Sequence, residues 1–155
     1  MSLRERTRPG LGLSPTTMPT VIDGTVIRGA HAATKNIKFQ LTHLVWQFPD
    51  IKEIYPGSIN VRLDQSLQIT SYDYTTLPIP WWDVDATHPG RWVSEIFSFV
   101  EIKFEYPQGG TPRRAWIFDC HNSAYFSDPV RFRYEIISTK IDGISYNQRC
   151  RLHLP

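Results

Sequence analysis

The chain has 155 residues, 41% of them hydrophobic and 21% charged, with a formal net charge of +2. That length suits one domain with a real core, and so small a charge, with no dense Lys/Arg stripe, argues against nucleic acid as a partner. No apolar run approaches the roughly 18 residues needed to cross a bilayer and no signal-peptide core is visible, so a cytoplasmic protein with no membrane partner is expected.

An aromatic content of 13% and twelve prolines favour a β-rich body with many turns over a helical bundle. The two cysteines, Cys120 and Cys150, do not make a disulfide framework and are expected as thiols. Residues 1–20 carry Arg, Pro, Ser and Thr without apolar periodicity and read as a tail, and Met18 could itself be a start. The remainder, 21–155, reads as a single domain.

In chain order, Thr25 to Gly29 reads as a short strand ending at a glycine. Asn36 to Gln40 alternates polar and apolar, which predicts a half-buried strand. Leu41, Leu44, Val45 and Phe48 fall at i, i+3, i+4 and i+7, predicting one short amphipathic helix before Pro49. Ile59, Val61 and Leu63 alternate with Asn60, Arg62 and Asp64, a strand with one wet face, and Leu67 to Ser71 is a candidate for another. The proline-broken stretch from Leu77 to Gly90 cannot be a central strand. Trp92 to Tyr106 reads as one long β run, Pro107 to Pro112 as a hairpin loop, and Ala115 to Asp119, Arg133 to Ser138 and Arg149 to Leu154 as further strands. The expected fold is therefore mainly all-β, a closed barrel of six strands with one short helix, because closure removes the edges of so many short strands.

The chemistry starts at Y-P-G-S-I-N-V-R-L-D, Tyr55 to Asp64. Residues two apart on a strand share a face, so Ser58 and Asn60 offer two neutral oxygens on one side. Such a pair is a poor cage for a bare cation but a sensible partial site for Mg²⁺, which keeps waters and takes charge from phosphates. The plainer local reading of the same residues is turn chemistry after Pro-Gly, with the Asn capping the strand by bonding backbone. Elsewhere the five histidines are scattered, and Cys120-His121 is a weak basis for zinc or for a Cys/His nucleophile. Trp81 and Trp82, with Asp83 and Asp85 beside them, could pin a loop to the barrel or form a lid stacking on a flavin or sugar ring.

The segment G-T-V-I-R-G … Y-P-G-S-I-N-V-R-L-D, Gly24 to Asp64, resembles the archaeal CTP-dependent riboflavin kinases, in which a strand leads into a glycine-rich loop and then a P-G-T-L-N-V-x-L-type motif. Y-E-I-I-S, Tyr134 to Ser138, is similar to the family's E-I-I-A segment, and the order of motifs agrees across most of Val21 to Leu154. The resemblance implies a riboflavin-kinase-like cradle-loop barrel. It also implies a transferase moving the terminal phosphate of a nucleoside triphosphate, CTP first, to riboflavin, giving FMN. By the same resemblance Ser58 and Asn60 would be the Mg²⁺ ligands, and Glu135 the flavin contact and the candidate for a catalytic role. Thr139 and Lys140 would lie where the nucleotide is held, and Asn122 or Ser123 would contact flavin. The glycine loop departs from the family: Arg28 to Lys35 reads R-G-A-H-A-A-T-K. There only Gly29 is kept, and His31, Thr34 and Lys35 could meet phosphate through side chains instead. The alternatives are a non-catalytic flavin- or nucleotide-binding barrel, or an unrelated carbohydrate- or protein-binding role on the same fold.

Overall fold

A computed structural model describes residues 20–29, 32–83, 91–121 and 132–155. Apart from Thr20, the expected tail lies outside those residues, as do Ala30, His31, the 84–90 stretch and 122–131. The strands are β1 (Val21–Ile27), β2 (Ile59–Leu63), β3 (Tyr74–Thr75), β4 (Ile79–Asp83), β5 (Arg91–Glu95), β6 (Phe97–Glu105), β7 (Arg113–Cys120), β8 (Arg133–Ser138) and β9 (Arg149–His153), with one α-helix, α1 (Ala32–Gln47). Strands β6, β7, β8, β2, β1 and β9 pair in that order, all antiparallel, and β6 pairs again with β9. The result is the closed six-stranded barrel expected from the pattern.

Alternation sends one set of side chains inward. Ile22 and Val26 of β1, Val61 and Leu63 of β2, Ile102 and Phe104 of β6, Ile117 of β7, Tyr134 and Ile136 of β8, and Cys150 and Leu152 of β9 fill the interior. Each end of the barrel is also plugged. At the end where β1 and β8 finish and β2 and β9 begin, here the upper rim, the β8–β9 connection packs Ile141 and Ile144 against the core. At the opposite end Leu67 and Ile69 do the same. A barrel packed in this way holds no lumen ligand, so binding chemistry is left to its outer face and rim.

Three local expectations need correction. Asn36 to Gln40 is helical, because five alternating residues compete with a longer helical stripe. Ile37, Leu44 and the partly buried Leu41 and Phe48 lie on one side and pack against Phe97, Phe99, Trp116, Phe118 and Ile137 on the outer barrel wall. Leu67 to Ser71 is not a strand. Its first residue is held by a side chain instead: the Leu67 N–H donates to the Tyr134 hydroxyl at 3.0 Å, which donates to the Leu67 carbonyl at 2.7 Å. The run from Trp92 to Tyr106 breaks at Ile96, with β5 pairing β4 in a separate two-stranded sheet and β6 joining the barrel. The prolines at 78 and 80 thus exclude β4 from the barrel, as the sequence required, while still allowing a short peripheral hairpin.

The Tyr134 arrangement carries its own prediction. Tyr134→Phe keeps the ring but strands two Leu67 backbone groups, and unfolding free energy should fall by about 1–2 kcal/mol in urea titration. An unchanged midpoint would show that the lower plug is held by Leu67 and Ile69 burial alone.

The exposed ends are tied by ion pairs. Arg114 lies over Trp116 at 4.8 Å and bonds both Glu101 and Asp50, pinning the turn after α1 to the β6–β7 hairpin. Arg151 bridges Asp23 and Glu105, and the Gly109 N–H, followed by His153, holds the Glu105 carboxyl below its usual range. No helix among the described residues is long and apolar enough to cross a membrane.

Candidate site on the upper rim

The Pro56–Gly57 corner is locked before β2 begins. Tyr55 N–H donates to the Ser138 carbonyl at 2.8 Å and Gly57 N–H to the Tyr55 carbonyl at 2.7 Å, so the corner is fastened to the end of β8. From there β2 runs between β1 and β8, with Asn60 directly opposite Ile27 on one side and Glu135 on the other. Partners in an antiparallel ladder share a face, and Asn60 and Glu135 therefore point together to the outside of the barrel. Ser58, two residues before Asn60, joins them: its hydroxyl donates to Glu135 Oε1 at 3.3 Å.

Gly29 closes this group from above. A Cβ added at Gly29 would fall 2.2 Å from Asn60 Nδ2 and 2.7 Å from its Cγ, so the absent side chain lets the backbone after β1 lie directly on the Asn60 amide. Only a glycine permits so close an approach. Gly29→Ala should force Asn60 aside, costing about 1–3 kcal/mol of stability. Calorimetric unfolding of parent and variant checks this, and an unchanged midpoint would show that Asn60 moves away freely.

Glu135 is the electrostatic centre. Only 8% of it is exposed. Its pKa is pushed up to about 7, chiefly by burial and further by the charge of Asp119, against the opposing Ser58 hydrogen bond and the Arg133 charge. A carboxyl so placed can hold a proton or give it up near neutral pH, and it can accept hydrogen bonds from hydroxyl groups.

Ser58, Asn60, Glu135 and Gly29, singled out in the sequence, are thus brought together. Thr139 and Lys140 follow β8 on the same rim, both exposed, with Lys140 Nζ 3.1 Å from Asp142. Thr34 and Lys35 fall within the N-terminal part of α1. His31, Asn122 and Ser123 lie outside the described residues, as does Asp85. Trp81 and Trp82 are ladder positions of β4, paired with Val93 and Trp92. Cys120 and His121 do not work together. Cys120 is buried in the outer cluster, whereas the next residue along the chain bonds Ser98, with His121 Nε2 2.7 Å from Ser98 Oγ. Among the described residues no group of three His, Cys, Asp or Glu side chains could hold a metal ion.

Asp119 was not marked as a site residue by the sequence. It is buried, accepts a hydrogen bond from the Tyr72 hydroxyl at 2.9 Å and raises the Glu135 pKa. Burial, then the bond and charge of Asp119, push the Tyr72 hydroxyl up to about 12. The signal was an aspartate ending the apolar run W-I-F, where a strand would place a buried carboxylate. Compared with known proteins, the chain matches no family model, and no curated protein matches it significantly.

Ser58 and Asn60 supply neutral oxygens and Glu135 one carboxyl, too little charge for a closed cation cage and compatible with a hard ion that would bring anionic ligands of its own.

Proposed function

We propose that the chain is a riboflavin-kinase-like phosphotransferase that passes the terminal phosphate of a nucleoside triphosphate, CTP first, to the primary hydroxyl of riboflavin. The observation that carries this reading is the convergence of Ser58, Asn60 and Glu135 on one outer face beneath the Gly29 backbone. Ser58 and Asn60 would hold a Mg²⁺ ion, which supplies positive charge against the phosphates. Phosphoryl transfer asks mainly for positioning and charge neutralisation; here the side chains would position, and the ion they hold would neutralise. Gly29, lying on the Asn60 amide, would keep that side chain facing the phosphates. Glu135 would accept hydrogen bonds from the ribityl hydroxyls and orient the attacking one, with the capacity to take its proton. His31, Thr34, Lys35, Thr139 and Lys140 are assigned to the nucleotide, and Asn122 and Ser123 to the flavin.

A barrel that binds flavin or nucleotide without turnover is the second reading. It is favoured by the alanines that follow Gly29 in A-H-A-A, where fewer glycines admit fewer close N–H contacts. Chromatography of protein incubated with riboflavin, Mg²⁺ and CTP, ATP, GTP or UTP separates the two. FMN formed with one nucleotide establishes the transferase, and riboflavin binding without FMN establishes the binding barrel.

A further inference from the structure

We infer that the base of the donor nucleotide sits in a second groove on the upper rim, stacked on Tyr146 and read by the side-chain amides of Asn147 and Gln148. This inference rests on the phosphotransferase reading for its ligand. The groove, of about 420 Å³, lies between Pro107–Gln108 of the β6–β7 hairpin and the 146–149 segment that leads into β9. Tyr146 remains 48% exposed although the Arg28 guanidinium already lies 5.3 Å from its ring centroid, so aromatic surface is left open to solvent. Two wall residues are committed elsewhere: Gln108 donates to Asp23 at 3.1 Å, and Arg149 donates to Thr25 at 2.9 Å and pairs with Asp64. The amides of Asn147 and Gln148 are exposed and make no side-chain hydrogen bond among the described residues. Such amides carry donor and acceptor together, the pairing that a base edge presents.

Position links this groove to the first site. The Asn147 N–H donates to the Val26 carbonyl at 2.8 Å and the Val26 N–H to the Gln148 carbonyl at 2.9 Å, while Ile27 opposes Asn60 on the other side of β1. Asn60 and the 147–148 pair therefore flank the end of β1, about 10 Å apart at two interstrand spacings. That separation is comparable with the reach from base to terminal phosphates in an extended nucleoside triphosphate. Arg28, next to Gly29 in the chain and over Tyr146 in space, stands between the two, where an anionic linker would pass. Asn147 has a φ of 65°, a left-handed conformation that Asn tolerates, which helps to set its direction.

The test is ¹H–¹⁵N NMR of the full chain titrated with CTP, ATP, GTP and UTP in Mg²⁺. Saturable shifts at Gln108, Asn147 and Gln148 with at least one nucleotide are expected. Tyr146→Ala should weaken that nucleotide about tenfold or more while Tyr146→Phe retains it. Asn147→Gly, which keeps the left-handed backbone, combined with Gln148→Ala, should level the affinities of the four. Shifts confined to residues 57–60, parent affinity in Tyr146→Ala, or no shift with any nucleotide would each overturn the groove. FMN formation judges the wider reading separately. Groove shifts without FMN discard the transferase alone, and FMN with unchanged affinity in Tyr146→Ala discards the groove alone.

Discussion

Replacing both Ser58 and Asn60 by Ala should lower kcat/KM for FMN formation at least about 100-fold while leaving riboflavin affinity within a few-fold. The reason is geometric. Asn60 leaves the outer face of β2 and Ser58 the turn just before it, both beside Glu135 and neither in the barrel core, so the barrel interior is untouched by the change. On the proposed reading each removed oxygen would take away a place where Mg²⁺ is held, and losses of this type are commonly tenfold or more apiece. Single variants divide the effect. Ser58→Thr keeps the hydroxyl and should retain most activity, whereas Asn60→Asp adds a charge beside Glu135 and should raise the nucleotide KM. A double Ala variant with parent kcat/KM would remove the pair from the chemistry, leaving Ser58 as an ordinary turn residue.

The fold was legible where period and punctuation agreed. Ile59, Val61 and Leu63 fix the inner face of β2, and the P-Q-G-G-T-P loop fixes the β6–β7 hairpin. Closure followed from counting strands that have no other way to cover their edges. The misread elements are those in which a local pattern is short and a distant partner decides. The Asn36 to Gln40 alternation gave way to helix once Ile37 found Leu44 and the outer wall, and nothing inside five residues announces that wall. Leu67 to Ser71 has the composition of a strand, but Leu67 is held by Tyr134, 67 residues away, and not by a neighbouring strand. Trp92 to Tyr106 was read as one strand because the switch of sheets at Ile96 leaves no proline or glycine behind it.

The candidate site was legible in part for the same reason. Parity alone put Ser58 and Asn60 on one face, but neither parity nor spacing brings Glu135 opposite Asn60, since that pairing spans 75 residues of chain and depends on β8 lying next to β2. The resemblance singles out Glu135 as a flavin contact and says nothing of this pairing. The close approach of Gly29 to Asn60 and the charge of Asp119 were beyond sequence reasoning, because each is a property of packed neighbours. The Arg28–Tyr146 contact was equally hidden, joining residues at opposite ends of the domain.

Glu135→Gln should make the protein more stable at pH 8 and leave it unchanged at pH 4. In the unfolded chain this carboxyl titrates near 4.5, and in the fold it is held up at about 7. Below 4.5 both states are protonated and the environment costs nothing. As pH rises from about 4.5 to 7 the unfolded chain releases its proton while the folded protein keeps it. Folding then binds a proton, so stability falls with rising pH and levels off above 7. The loss amounts to roughly 3–4 kcal/mol by linkage. Gln keeps the shape and accepts the Ser58 hydroxyl without ever ionising, so the variant escapes the loss. Carboxylates such as Glu105, Asp64 and Glu101, held below their usual range by hydrogen-bond donors, act in the opposite sense at low pH, and the difference between parent and variant cancels them. Urea titrations of both proteins from pH 4 to 8 give the comparison directly. A gap that opens between pH 4.5 and 7, together with a loss of FMN formation in the variant, marks a carboxyl kept buried at a stability cost for its chemistry. A gap of constant size at every pH would mean that burial does not hold the proton on Glu135, and the carboxyl would then be a structural acceptor for Ser58.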